Sequence, residues 1–99
     1  MTDIKVSETP NVVKLKAPNK FQVIMLNDDT TPMDFVINVL VQIFNKSPEA
    51  AKEVMIEIHE KGRGVAGAYS YEVAEQKCTE TVTIARRNQF PLEVTIEES

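Results

Sequence analysis

The order of apolar and polar positions divides the chain into six candidate elements. Residues 21–26 (FQVIML) form a nearly unbroken apolar run bounded by Asn27, Asp28 and Asp29. It is short and rich in strand formers, which predicts a buried strand. From Met33 the period changes: Met33, Val36, Ile37, Leu40, Ile43 and Phe44 recur at helical spacing. Ahead of them Thr31 offers a capping hydroxyl, Pro32 suits the first helical position, and Asp34 completes a short variant of the capping box. Ser47, Pro48 and Glu49 repeat this start, with Ala51, Val54, Met55 and Ile58 as the apolar stripe. His59 extends that face and Gly62 supplies the stop. Residues 64–69 (GVAGAY) carry too much glycine for a helix and read as a strand with close backbone approach. Ser70 caps a third helix with a modest inward face of Val73, Ala74, Thr81, Val82, Ile84 and Ala85. Beyond Pro91, Leu92, Val94 and Ile96 alternate with Glu93, Thr95 and Glu97, the period of a half-buried strand.

Strand, helix, helix, strand, helix, strand is the pattern of an α+β two-layer sandwich, a three-stranded antiparallel sheet with three helices. Residues 1–19 hold Pro10 and Pro18 and no sustained period, so they read as a flexible extension to a single domain over 20–99. With 99 residues, 42% of them hydrophobic, the chain can build one core without disulfide or metal. The single cysteine, Cys78, excludes an internal disulfide, reads as a small inert side chain, and suits a reducing, cytosolic home. No apolar run approaches the roughly 20 residues needed to span a bilayer, and the first ten residues have no apolar signal core.

Charge narrows the function classes. Residues 1–19 hold three lysines against two acids, a net of +1, whereas residues 20–99 hold 8 basic against 13 acidic groups, a net of −5. Arg86 and Arg87, with Lys77, are the only basic concentration in the second half, and the arginine pair sits where cations favour a helix end. A protein that tracks phosphates needs clustered positive charge, so nucleic acid is not the expected partner. The acidic body suits a cationic one.

Candidate chemistry gathers at two places: Asn27, Asp28, Asp29 and Thr31 after the first strand, and His59, the only histidine, near the end of the second helix. Met33 and Val36 share a face of the first helix, and Met55, Ile58 and His59 share one of the second. If these helices form a hairpin, a pocket can open between them, with apolar walls, an acceptor-rich rim and one imidazole. Each part also has a plainer reading. Asn-Asp-Asp-x-Thr-Pro is by itself a turn and a helix cap. A histidine at a helix C-terminus is a dipole partner, buried methionines are core filler, and Glu72, Glu75, Lys77 and Glu80 are a solvated helix face.

Taken together and in this order, the residues resemble the ClpS adaptor family. The resemblance is carried by residues 23–29 (VIMLNDD) running into 31–37 (TPMDFVI), then 54–59 (VMIEIH), Gly62, 71–77 (YEVAEQK), and Pro91-Leu92 with the last strand. It covers about residues 20 to 97 and implies a non-enzymatic substrate-recognition domain. Members recognise proteins that begin with a bulky hydrophobic residue, Leu, Phe, Tyr or Trp, and hand these N-degron substrates to the N-terminal domain of a Clp AAA+ unfoldase (ClpA or ClpC type) for degradation by ClpP. The resemblance places Asn27, Asp28 and His59 on the substrate's α-amino group and first peptide unit. Asp29 and Thr31 shape the rim, and Met33, Val36, Met55, Ile58 and Leu92 line the first-residue pocket. Ile58 stands where many relatives have Val, which trims the pocket. Glu72 and Lys77 match positions that touch the unfoldase, and the N-terminal extension matches the tail used in delivery. A cytoplasmic monomer without cofactor is the expectation.

The physics of such a site is coherent. A free α-amino group has a pKa near 7.7–8.0, so at neutral pH it is mostly a cation with three donors. An internal amide offers one donor and no charge, and would leave a rim of acceptors unpaired at about 1–3 kcal/mol each. Burying a Leu or Phe side chain adds roughly 1.5–3 kcal/mol, which after association costs implies micromolar binding. Met33 at the mouth would crowd a branched Cβ, so Leu and Phe are expected to bind and Ile and Val poorly. Protonating His59 would remove an acceptor beside an ammonium, so acidification is expected to weaken binding. Two other readings stand beside the adaptor. One is a small hydrolase or metal enzyme using Asp28, Asp29 and His59. The other is a stalk-like interaction domain, because fold alone does not fix function.

Overall fold

The computed structural model describes residues 19–99. The expected extension, residues 1–19, lies outside the described residues except for Asn19. The elements run β1 (Phe21–Leu26), α1 (Met33–Gln42), α2 (Pro48–Lys61), β2 (Arg63–Tyr69), α3 (Tyr71–Arg87) and β3 (Glu93–Glu98). The sheet has the order β2-β1-β3 with both pairings antiparallel. This is the α+β, β-α-α-β-α-β arrangement that the periodicity predicts.

β1 is apolar except for Gln22 because it is the central strand, paired on both edges. Phe21 stands opposite Tyr69 on one side and Glu98 on the other, and Leu26 stands opposite Arg63 and Glu93. The register slips once between Val23 and Ile24, where Gly67 and Val65 are their partners. Val23 and Met25 point into the core with Val36, Val39, Leu40, Phe44, Ala51, Met55, Ile58 and Leu92. Ile24 faces the opposite side, yet is only 1% exposed. Val65 and Thr95 stand beside it in the register, and Arg63 and Glu97, two residues along on the two edge strands, pair at 2.9 Å. The ion pair itself contributes little at the surface, but the arginine stem supplies apolar cover.

Helix boundaries follow local chemistry, with three departures from expectation. Ser47 caps α2 as predicted, its Oγ accepting from the Ala50 N–H at 3.1 Å, and Gly62 ends the helix at φ 87°, where a Cβ would be strained. Thr31, however, is not the cap of α1. Pro32 holds that position without a side-chain cap bond, and the Thr31 hydroxyl is engaged elsewhere. α1 also stops at Gln42, before the Ile43 and Phe44 expected within it. The chain turns there through Asn45 at φ 58°, and the Lys46 N–H donates back to the Leu40 carbonyl. Ser70 is at the N-cap of α3 but makes no side-chain cap bond.

The buried face of α3 is narrower than the sequence suggests. Ala74, Thr81 and Ala85 are fully buried, whereas Val73 and Ile84 are exposed. α3 rests on the sheet through small residues, so only one row of positions is covered. Arg86 closes its end by donating to the carbonyls of Phe90 and Leu92 at 2.8 and 2.9 Å.

Candidate functional site

The turn after β1 is built by Asp28. Its Oδ1 accepts from the backbone N–H groups of Thr30 and Thr31 at 2.8 and 2.7 Å, and its Oδ2 accepts from the Thr31 hydroxyl at 2.7 Å. Partial burial alone would raise this carboxyl. The three hydrogen bonds, with a contribution from the Arg86 charge, outweigh it and hold Asp28 below the ordinary carboxylate value. A carboxylate has about four lone-pair positions, so three internal bonds leave roughly one, on Oδ2, for a ligand. The turn is anchored to the end of α2 by the Asn27 N–H, which donates to the Gly62 carbonyl at 2.9 Å. That single bond places the acceptor turn beside the last turn of α2, where His59 sits exposed.

Between these parts lies a cleft of about 280 Å³ lined by Asn27, Asp28, Asp29, Thr31, Met33, Met55 and His59. Below it is a much smaller apolar chamber of about 10 Å³, room for roughly one water. Leu26, Val36, Ile58 and Leu92 form its walls, and it shares Asn27, Asp28, Thr31 and Met55 with the cleft above. Val36, Met55, Ile58 and Leu92 are buried, whereas Met33 is 50% exposed and stands at the mouth. The structure thus brings all ten sequence-predicted substrate residues to one two-storey cavity. It adds Leu26, which sequence reasoning assigned to the core; as the last residue of β1, next to the polar turn, it carried the signal of a strand end facing a site.

The two predicted partner residues lie elsewhere and apart. Glu72 is exposed in the first turn of α3. Lys77 is not part of a solvated face. Its Nζ donates to the Ile43 carbonyl at 2.7 Å, beyond the end of α1, and stands 5.9 and 5.3 Å from the ring centroids of Phe44 and Tyr69. Cys78 is half-buried, and burial together with the Glu75 charge pushes its thiol up, away from the reactive thiolate. A larger concavity, about 550 Å³, follows α3 from Glu72 to Arg87. Among the described residues its lining comes from α3 alone, so it offers no enclosed chamber.

Among the described residues no three His, Cys, Asp or Glu side chains converge as a metal site. Nor is any helix there long and apolar enough to cross a membrane. An apolar chamber under a rim of acceptors defines a small binding domain, suited to a ligand that carries a cationic donor next to an apolar group. Comparison with known proteins names a family. The family model for the ATP-dependent Clp protease adaptor protein ClpS matches residues 16–95. ClpS adapter proteins of Bdellovibrio bacteriovorus and Rhodospirillum centenum are 51% and 48% identical over 87 and 85 residues, covering 88% and 86% of this chain and 76% and 79% of theirs. The structure of Agrobacterium tumefaciens ClpS2 bound to L-phenylalaninamide is 34% identical and matches with a TM-score of 0.80, over 84% of this chain and all of that one. The chain belongs to the ClpS family of Clp protease adaptors, whose members are named as adapters rather than enzymes.

Proposed function

We propose that this chain binds proteins by a free α-amino group and a bulky hydrophobic first side chain, and delivers them to a ClpA- or ClpC-type AAA+ unfoldase for degradation by ClpP. The observation that carries the reading is the stacking of an acceptor rim directly on an apolar chamber. The remaining lone pair of Asp28 Oδ2, the Asn27 side chain and the His59 imidazole supply the ammonium's partners. Asp29 and Thr31 shape the rim, and Val36, Met55, Ile58 and Leu92 enclose the side chain. The ligand of the Agrobacterium relative, L-phenylalaninamide, offers that chemistry: a free α-amino group, a Phe side chain and one amide.

The chamber as it stands does not admit a Leu or Phe side chain, so entry moves a wall. Met55, unbranched and shared by the chamber and the cleft above it, is the wall that yields. Glu72, exposed, and Lys77 are the proposed unfoldase contacts. The proposed place of this work is the cytoplasm, a reading supported by the single free thiol and the Clp adaptor family.

Fluorescence anisotropy with peptides differing only in residue one tests the reading. Leu- and Phe-initiated peptides bind in the micromolar range or tighter, and Ile-, Val- and Asp-initiated ones at least about tenfold more weakly. His59→Ala weakens the Leu-initiated peptide by about tenfold, the cost of one lost acceptor, at unchanged melting temperature. Equal affinity for all first residues overturns the reading.

A further inference from the structure

Gly64 is the second residue of β2 and is buried against α2. Its backbone does not need glycine: among the described glycines only Gly62 has a positive φ. Its surroundings do. A Cβ at residue 64 would lie 2.8 Å from Ile58 Cγ1, 3.3 Å from the Val54 carbonyl oxygen and 3.4 Å from Val54 Cγ1. Cγ1 is not the free tip of Ile58. It is the branch that carries Cδ1, on a β-branched side chain that is 1% exposed and has little χ1 freedom. Ile58 also lines the inner chamber. Ile58 is therefore held between a bare backbone and the space for the ligand, and room denied on one side is taken from the other.

We propose that Gly64, which touches no ligand, is a positioning residue that sets the depth of the chamber by letting Ile58 withdraw from it. The missing Cβ leaves room for Ile58 Cγ1, and so for the Cδ1 it carries, to lie back from the chamber. Restoring ordinary contact at Gly64→Ala shifts Ile58 by about 0.6 Å, and the chamber is the nearest space to receive it. Large first residues suffer most, and Leu least. The inference rests on the reading of the cleft given above.

The test is anisotropy with Leu-, Phe- and Trp-initiated peptides on the full chain, read as the ratio of Trp to Leu affinity. Gly64→Ala lowers that ratio about fivefold to tenfold, the scale of overpacking. Adding Ile58→Val to Gly64→Ala, which shortens the shifted side chain, returns the ratio to within about threefold of the starting value. Ile58→Val alone raises it, which keeps the test available if Gly64→Ala does not fold. An unchanged ratio in Gly64→Ala, or in Ile58→Val where that is the variant used, overturns the proposal. So does a uniform loss for all three peptides that Ile58→Val does not rescue. Failure of the unmodified chain to bind any of the peptides instead sinks the reading of the cleft.

Discussion

Asp28 links the turn to the rim. Its carboxylate organises the turn through Thr30 and Thr31 and leaves only one position free. Because its pKa is lower in the folded state than in the unfolded chain, its stabilisation is present above the ordinary carboxylate value and is lost as pH falls through the folded one. Asp28→Ala removes three hydrogen bonds at a part-exposed site, a loss of about 1 kcal/mol. On a domain of this size that lowers the melting temperature by about 4–8 °C. The difference holds from pH 7 to about pH 5 and shrinks only below about pH 4. Thermal unfolding of the two proteins across that range measures it. A difference that closes between pH 7 and 5 would show another group at work.

At the scale of elements, Lys77 ties α3 to the end of α1. Its ammonium occupies the Ile43 carbonyl, one of the groups a helix end leaves unpaired, and lies near two aromatic rings. Lys77→Ala therefore costs about 1–2 kcal/mol of stability. Glu72→Ala, on the exposed first turn of the same helix, costs less than about 0.5 kcal/mol. Both variants weaken binding to the unfoldase N-terminal domain if the proposed contact holds. Chemical denaturation separates them, and equal stabilities would contradict the structural role of Lys77. The sheet and α2 were legible because their signals are local: the nearly unbroken apolar β1, the Ser47 cap, the Gly62 stop. Lys77 was not, because Ile43 is 34 residues away and no sequence period connects the two. Val73 and Ile84 misled for a similar reason. Their spacing is helical, but only the row of Ala74, Thr81 and Ala85 meets the sheet.

In the whole molecule, one backbone hydrogen bond joins the parts that the sequence holds far apart. Asn27, at the end of β1, meets Gly62, at the end of α2, and the acceptors of the turn thereby stand next to His59. The periodicity supplied the faces of α1 and α2, so the pairing of Met33 with Met55 was readable. The near closure of the inner chamber and the place of Gly64 behind Ile58 depend on packing distances of tenths of an ångström, which no pattern of residue types records. On the proposal that residues 20–99 carry the recognition domain, removing residues 1–19 leaves the affinity for a Leu-initiated peptide unchanged within about twofold. In a ClpP degradation assay the same truncation abolishes the accelerated turnover of a Leu-initiated reporter. Loss of peptide affinity on truncation would place part of the site in the first nineteen residues.

The central claim is that the rim reads a charged chain start. Titration of one Leu-initiated peptide against its N-acetylated twin tests it most directly. Acetylation removes the charge and two donors and strands the acceptors beneath them, so the affinity falls by about a hundredfold or more. Equal affinity for the two peptides would contradict the account.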